Sequence, residues 1–232
     1  MSWVFTDRHG GTSRPPYDTA NLGGHVGDDP PTVAANRLRL AARLELPAGS
    51  VRYMEQVHGD TVAVLADESA PLPAGGTDGL VTAAPGVALA VLVADCVPVL
   101  MADPEAGVVA AVHCGRPGLR NGVTLRALEA MAELGADPGR TSVWLGPAVC
   151  PACYEVPDEM RADVASVAPA AWSTSRSGTA ALDLRAGLAA LLHEQGALVE
   201  VVGPCTAESP DHYSYRRDGT TGRFAGVVWQ AA

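Results

Sequence analysis

Residues 94–115 read ADCVPVLMADPEAGVVAAVHCG, and this stretch constrains the fold more than any other part of the chain. An apolar, β-rich run over 87–94 is interrupted by Asp95-Cys96. A turn-forming DPEAG follows, and a second β-rich run over 108–112 ends at His113. A turn at 103–107, centred on Glu105, predicts an antiparallel hairpin in which Cys96 faces position 114 and His113 faces position 97. Directly opposed side chains in such a pair have Cβ atoms about 4.5–5.5 Å apart, so a slip of one or two positions makes the thiol and the imidazole neighbours. Pro98 counts against a strand just after Cys96, because it lacks a ladder donor. A bend there would equally serve to aim the thiol.

Around this stretch, helices and strands alternate. Residues 7–31, rich in Gly, Pro, Asp and Asn, read as a structured loop. Asp29-Pro30-Pro31 then opens a helical pattern with Val33, Leu38, Leu40, Ala41 and Leu44 as its apolar positions. Short strands are expected at 51–54, 61–65, 141–146, 198–202 and 224–229, and helices at 123–134, 157–167 and 183–195, with Gly135 and Gly196 as helix stops. The interspersed pattern predicts a mixed α/β (α+β) fold with partly antiparallel sheets and flanking helices. No linker is evident, so residues 1–232 are expected to form a single domain.

Composition narrows the function classes. A net charge of −10 makes nucleic acid a poor partner, although a local arginine cluster can still hold a small anion. The longest apolar stretch is too short to span a membrane and contains Asp95. The start, MSWVFTDRHGG, has no basic region leading into an apolar one, and five cysteines is an odd count. No secretory signal is therefore expected, and reduced thiols in the cytoplasm are.

Several residues are candidates for chemistry. Cys96 and His113 are either a buried small hydrophobe and a hydrogen-bonded strand-end histidine, or a metal-binding or catalytic pair. Asp95 favours the second reading, because a carboxylate in an apolar run is costly unless it is paired or in use. His58, in EQVHGD, precedes Gly59, which permits a sharp turn, and lies between Gln56 and Asp60, which can orient a ring nitrogen. YSYRRDGTTGR gathers Arg216, Arg217 and Arg223; these either neutralise nearby carboxylates or grip phosphate in bidentate fashion. ANLGGHVGDD is either a Gly-rich turn or a rim in which Asn21 and His25 bond a ligand. Cys150 and Cys153 have C-x-x-C spacing, but Val149 replaces the proline of the deaminase pattern and no H-x-E accompanies them. They read as a free or weakly redox-active pair.

QVHGDTV, TDGLVT, VADCVPVLMADP, VVAAVHCG, GPAVCPACYEV and CTAESPDHYSYRRDGTTGR occur in that order, with TDRHGGTSRPPYDTANLGGHVGDDP and NRLRL ahead of them. Together they resemble the YfiH family, also called the laccase-domain or multicopper polyphenol oxidase family, over nearly the whole chain. The resemblance implies a YfiH-like fold and a zinc site made of His58, Cys96 and His113. Two imidazoles and a thiolate suit zinc with a fourth position left open, and copper tolerates the same ligands. It further implies phosphorolysis of adenosine, inosine and methylthioadenosine, with adenosine deaminase activity, so that the partners are a nucleoside and phosphate. A metal with an open position lowers the pKa of bound water toward about 7, which suits attack at the purine C6.

One departure stands out. Where the family pattern reads His-Ala-Gly-Trp-Arg-Gly, this chain has His113-Cys114-Gly115-Arg116-Pro117-Gly118. Arg116 then stands in for the family arginine from one residue away, and Cys114 places an extra thiol beside a proposed ligand. Two other readings are a hydrolase with Cys96 as nucleophile and His113 as base, which would suit peptidoglycan-precursor editing, and oxidation of phenols. The second needs a larger set of histidine ligands than six scattered histidines offer.

Overall fold

The computed structural model describes residues 1–231. Its centre is the predicted hairpin, β6 (Val97–Asp103) and β7 (Val108–Cys114), in register Val97↔Cys114 through Asp103↔Val108. That is a slip of one position from the expected pairing, and it puts His113 opposite Pro98. His113 donates its N–H to Asp78 O, away from β6. Pro98 and His113 therefore form a non-hydrogen-bonded pair, and the missing proline donor breaks no rung between the two strands.

The hairpin is the middle of a six-stranded mixed sheet. β8 (Ser142–Leu145) and β11 (Leu198–Val201) extend it on one side, and β4 (Gly79–Thr82) and β3 (Val62–Leu65) on the other. A second, four-stranded sheet has the order β1 (Ser2–Phe5), β12 (Phe224–Trp229), β5 (Ala88–Val93), β2 (Val51–Tyr53). The apolar run before Asp95 is thus not part of the hairpin sheet. β5 and β6 follow one another in sequence but belong to different sheets, and Asp95-Cys96 is the corner between them. β1, β4 and the small pair β9 (Trp172–Thr174) and β10 (Ala180–Leu182) were not foreseen, being short and without an alternating pattern long enough to read.

The two sheets pack face to face through alternate residues: Leu89, Val91 and Val93 of β5 and Phe224 and Val228 of β12 meet Leu100, Ala102, Val109 and Ala111 of the hairpin. The opposite face of the six-stranded sheet, with Val99, Met101, Ala110 and Val112, is covered by α3 (Val123–Glu133), α4 (Asp158–Ala165) and α5 (Leu184–Glu194). A short α2 (Arg116–Asn121) precedes α3. The outer face of the four-stranded sheet is covered by α1 (Pro30–Arg43), whose Asp29 cap accepts from Thr32 N. The result is a four-layer α/β/β/α arrangement, and the central strands are buried on both faces, which is why they read as continuous apolar runs.

Leu38, expected on the buried stripe of α1, is 56% exposed; the inward positions are Val33, Asn36, Leu40 and Ala41. Asn36 is buried because it bonds the loop before the helix: its amide donates to Ser13 Oγ, Thr19 O and Asn21 O and accepts from Thr12 N. This network orders residues 12–21 without regular structure.

Leu100 has no exposed surface and lies between the sheets. Leu100→Ala should cost about 2–5 kcal/mol in urea denaturation. Leu38→Ala should stay within about 0.5 kcal/mol of the parent.

Candidate active site

Three chain segments converge where the corner between the sheets opens to the surface. β7 delivers His113 as its penultimate residue, the β5–β6 corner delivers Cys96, and the loop after β2 delivers His58. One ligand-capable atom from each of His58, Cys96 and His113 lies within 4.8 Å of the others. Cys96 Sγ is 3.7 Å from His58 Nε2, and the two imidazole rings meet edge-on with centroids 4.6 Å apart. His113 is buried, Cys96 half-buried and His58 exposed.

A residue that sequence reasoning passed over organises the group. Asp78, fully buried, lies 2.7 Å from His113 Nδ1 through Oδ1. The same carboxylate accepts backbone N–H bonds from Val57, His58 and Gly59, so it fixes both the ring of one histidine and the loop carrying the other. With Nδ1 engaged, Nε2 of His113 is the nitrogen left for the site. The signal was present in TDGLVT, but nothing local in that motif says which loop its carboxylate binds. Gln56 and Asp60 do not orient a ring nitrogen as expected. Gln56 pairs with the backbone of Leu92 in both directions, and Asp60 bonds Arg126. The sharp turn is made by His58 itself, at φ 60°.

Asp95, at φ 91°, turns the chain from one sheet to the other. A non-glycine residue in that region costs on the order of 1–3 kcal/mol and persists where its surroundings over-determine it. Here they do: Thr206 Oγ1 donates to Oδ1 at 2.6 Å, Arg216 N donates to Oδ2 at 2.6 Å, and Val149 N donates to the Asp95 carbonyl at 3.0 Å. The carboxylate that looked out of place in an apolar run ties two distant loops to the corner beside Cys96.

Electrostatics favour a thiolate. Burial pushes the Cys96 thiol up, but the His113 charge and hydrogen bonds from both histidines bring it down to about 6. Burial pushes His113 down, while the Cys96 charge and the Asp78 bond raise it to about 9. A thiolate and two imidazoles are a donor set for one borderline-soft cation, zinc or copper. Space for such a group is kept by Gly115, where a Cβ would fall 3.0 Å from both Cys96 Sγ and His58 Cδ2.

The trio opens into a cavity of about 390 Å³. Its walls include His25, Arg116, Tyr154, Arg216 and Arg223, together with the trio. Arg116, Arg216 and Arg223 make no salt bridge among the described residues. Two expected contacts are corrected. Arg217 does not line the cavity: its guanidinium donates to Thr206 O, Ser209 O and His212 O and pairs with Asp218. Asn21 is buried outside it and braces the rim, accepting from Arg223 N and donating to Asp28 and Gly23 O. Cys114 is buried on the helix side of the sheet, and burial raises its thiol well above the ordinary range, so it does not compete for a metal at the trio.

Residues 2–231 match the family described as multi-copper polyphenol oxidoreductase laccase. The chain belongs to that family. A purine nucleoside phosphorylase of Streptomyces coelicolor is 56% identical over 226 residues, covering 97% of this chain and 93% of its own. One from Mycobacterium tuberculosis is 53% identical over 227 residues, covering 97% and 90%. Among solved structures, YlmD from Geobacillus stearothermophilus has a TM-score of 0.88 at 34% identity, covering 99% of this chain and 92% of that one. A Neisseria meningitidis protein of the DUF152 family has a TM-score of 0.86 at 35% identity, covering 99% and 94%. The mixed α/β architecture is that of these solved structures. The departure from the family pattern at Arg116-Pro117 falls on the first turn of α2, where Arg116 still faces the cavity and Pro117 takes an early helical position that needs no N–H donor.

Two measurements probe this geometry. In metal-free protein, alkylation of Cys96 should speed up as pH rises through about 6, because the thiolate is the reactive form and its proton leaves there rather than near 9. Gly115→Ala should displace Cys96 or His58, and Asp78→Asn should release His113. Competition with a chromogenic chelator should show metal binding weakened by about 10–100-fold in Asp78→Asn.

Proposed function

We propose that this chain is a metal-dependent purine nucleoside phosphorylase, acting on adenosine, inosine and methylthioadenosine, with adenosine deaminase activity at the same centre. The observation that carries the reading is the cavity: Arg116, Arg216 and Arg223, which pair with no carboxylate among the described residues, line the same space as the His58–Cys96–His113 trio, in a protein of net charge −10. An unpaired cluster of that sign is suited to an anion. Relatives covering nearly the whole chain bear the name of an enzyme that uses phosphate. The cavity also lies in the range of small-molecule sites, about 300–1,000 Å³.

In this reading His58, Cys96 and His113 hold zinc, which when bound would supply Lewis-acid activation at the open side of the site. Arg216 and Arg223, with Arg116 one residue before the family's usual arginine position, hold phosphate. Phosphate then attacks the ribose carbon that bears the base; the glycosidic bond breaks, giving free base and ribose phosphate. The apolar wall from Leu92, Val149 and Leu184 takes the purine. Asp78 keeps the proton of His113 at Nδ1, so that Nε2 stays directed at the centre. Asn21 and Arg217 act by bracing the loops that present Arg223 and Arg216.

The lowered Cys96 thiol also suits a second reading, a hydrolase with Cys96 as nucleophile. Zinc separates the two: a ligand thiolate resists alkylation until a chelator is added, whereas a free nucleophile reacts at once and its enzyme loses activity.

Incubating the protein with adenosine, with and without phosphate, tests the main proposal. Base release should require phosphate and yield ribose phosphate; equal release in both tubes would sink it. Arg216→Ala and Arg223→Ala should each raise the KM for phosphate about tenfold or more, as expected from about 1.5–3 kcal/mol per hydrogen bond to a charged group.

A further inference from the structure

Away from the trio, three thiols meet. Cys150 and Cys153, the C-x-x-C pair of the sequence, are joined by Cys205 from a loop 55 residues further on, and the three sulfurs lie within 4.8 Å of one another. All three cysteines are free. Cys205 Sγ accepts the backbone N–H of Cys150 at 3.2 Å, and Glu208 Oε1 lies 3.6 Å from Cys153 Sγ on the open side. Glu208 in turn pairs with Arg176.

Packing does not account for this arrangement. A free cysteine that serves as a small hydrophobe is usually buried, yet Cys150 and Cys153 are half-exposed. A disulfide would need two sulfurs, not three sulfurs and a carboxylate. Zinc bonded to sulfur at about 2.3 Å in tetrahedral geometry places its sulfurs about 3.8 Å apart, so the trio has at most about 1 Å to close. The Cys150 amide donating to the Cys205 sulfur is an outer-shell bond of the kind that orients a metal ligand.

We propose that Cys150, Cys153 and Cys205, with Glu208 as fourth donor, form a second metal site that takes a zinc-class cation. Its role is structural. The two loops it joins are those that hold the Asp95 corner: Val149 N, next to Cys150, donates to the Asp95 carbonyl, and Thr206 Oγ1, next to Cys205, donates to its carboxylate. A cation there fastens both loops behind Cys96 and steadies the backbone of Arg216, which bonds the same carboxylate.

Zinc-loaded full-length protein, desalted and analysed for metal, tests the site. The wild type should carry one equivalent more than Cys150→Ser/Cys153→Ser, and one more than His58→Ala/Cys96→Ser, with both variants checked by near-UV circular dichroism. On the unaltered protein, mass-resolved alkylation should find Cys150, Cys153 and Cys205 protected by zinc and exposed by a chelator. The proposal is overturned if Cys150→Ser/Cys153→Ser keeps the full wild-type metal content, if zinc leaves the alkylation of the three thiols unchanged, or if the non-reduced protein weighs two hydrogens less because a disulfide joins two of them.

Discussion

Asp78 is a carboxylate without exposed surface, and the site is built around it. Burial alone would raise its pKa, but the His113 bond and backbone donors from Val57 and Gly59 outweigh that and keep it ionised. Removing one member of such a buried, hydrogen-bonded pair leaves an uncompensated charge, which costs on the order of 3–5 kcal/mol. The carboxylate therefore does two things at once: it sets which nitrogen His113 presents, and it gathers the loop on which His58 adopts a left-handed backbone. Strand β4, which carries it in beside β7, is as much part of the site as the metal-ligand candidates.

The second constraint is the change of sheet. Two stacked sheets need the chain to cross between layers, and β5 to β6 does so in three residues. The crossing leaves Asp95 in a strained conformation that three hydrogen bonds hold, and those bonds come from the loops carrying Val149, Thr206 and Arg216. The corner thereby collects the thiol, the arginines and the cavity wall at one edge of the β/β interface. The thiol cluster at Cys150, Cys153 and Cys205 lies just behind it on the same loops.

Much of this was legible before the fold. The hairpin could be read because a turn sequence sits between two β-rich runs, and its register differs by one position because the loop between the last paired residues, Asp103 and Val108, has four residues and is not centred on Glu105. The pairing of Cys96 with His113 followed from that hairpin. The inclusion of His58 came from family resemblance, since no periodicity links a loop at 58 to strands near 100. Leu38 was misread because a helix packing a single face on a sheet buries fewer positions than the apolar pattern offers. Arg217 is not an anion ligand in the cavity although adjacent arginines look equivalent in sequence, because the one-turn helix Tyr215–Asp218 sends neighbouring side chains in different directions.

The sequence by itself determined the mixed α/β class, the central hairpin, the acidic surface and the residue types able to do chemistry, because local periodicity, turn residues and side-chain identity are properties of neighbours along the chain. Only the tertiary structure decided that Asp78 reaches across 35 residues to His113, that Asp95 is a corner and not a flaw, that Arg216 and Arg223 share a cavity while Arg217 does not, and that Cys205 completes a thiol cluster. These are contacts between segments far apart in sequence. They form because burying two sheets against each other fixes which loops meet at the rim, and no local pattern carries that information.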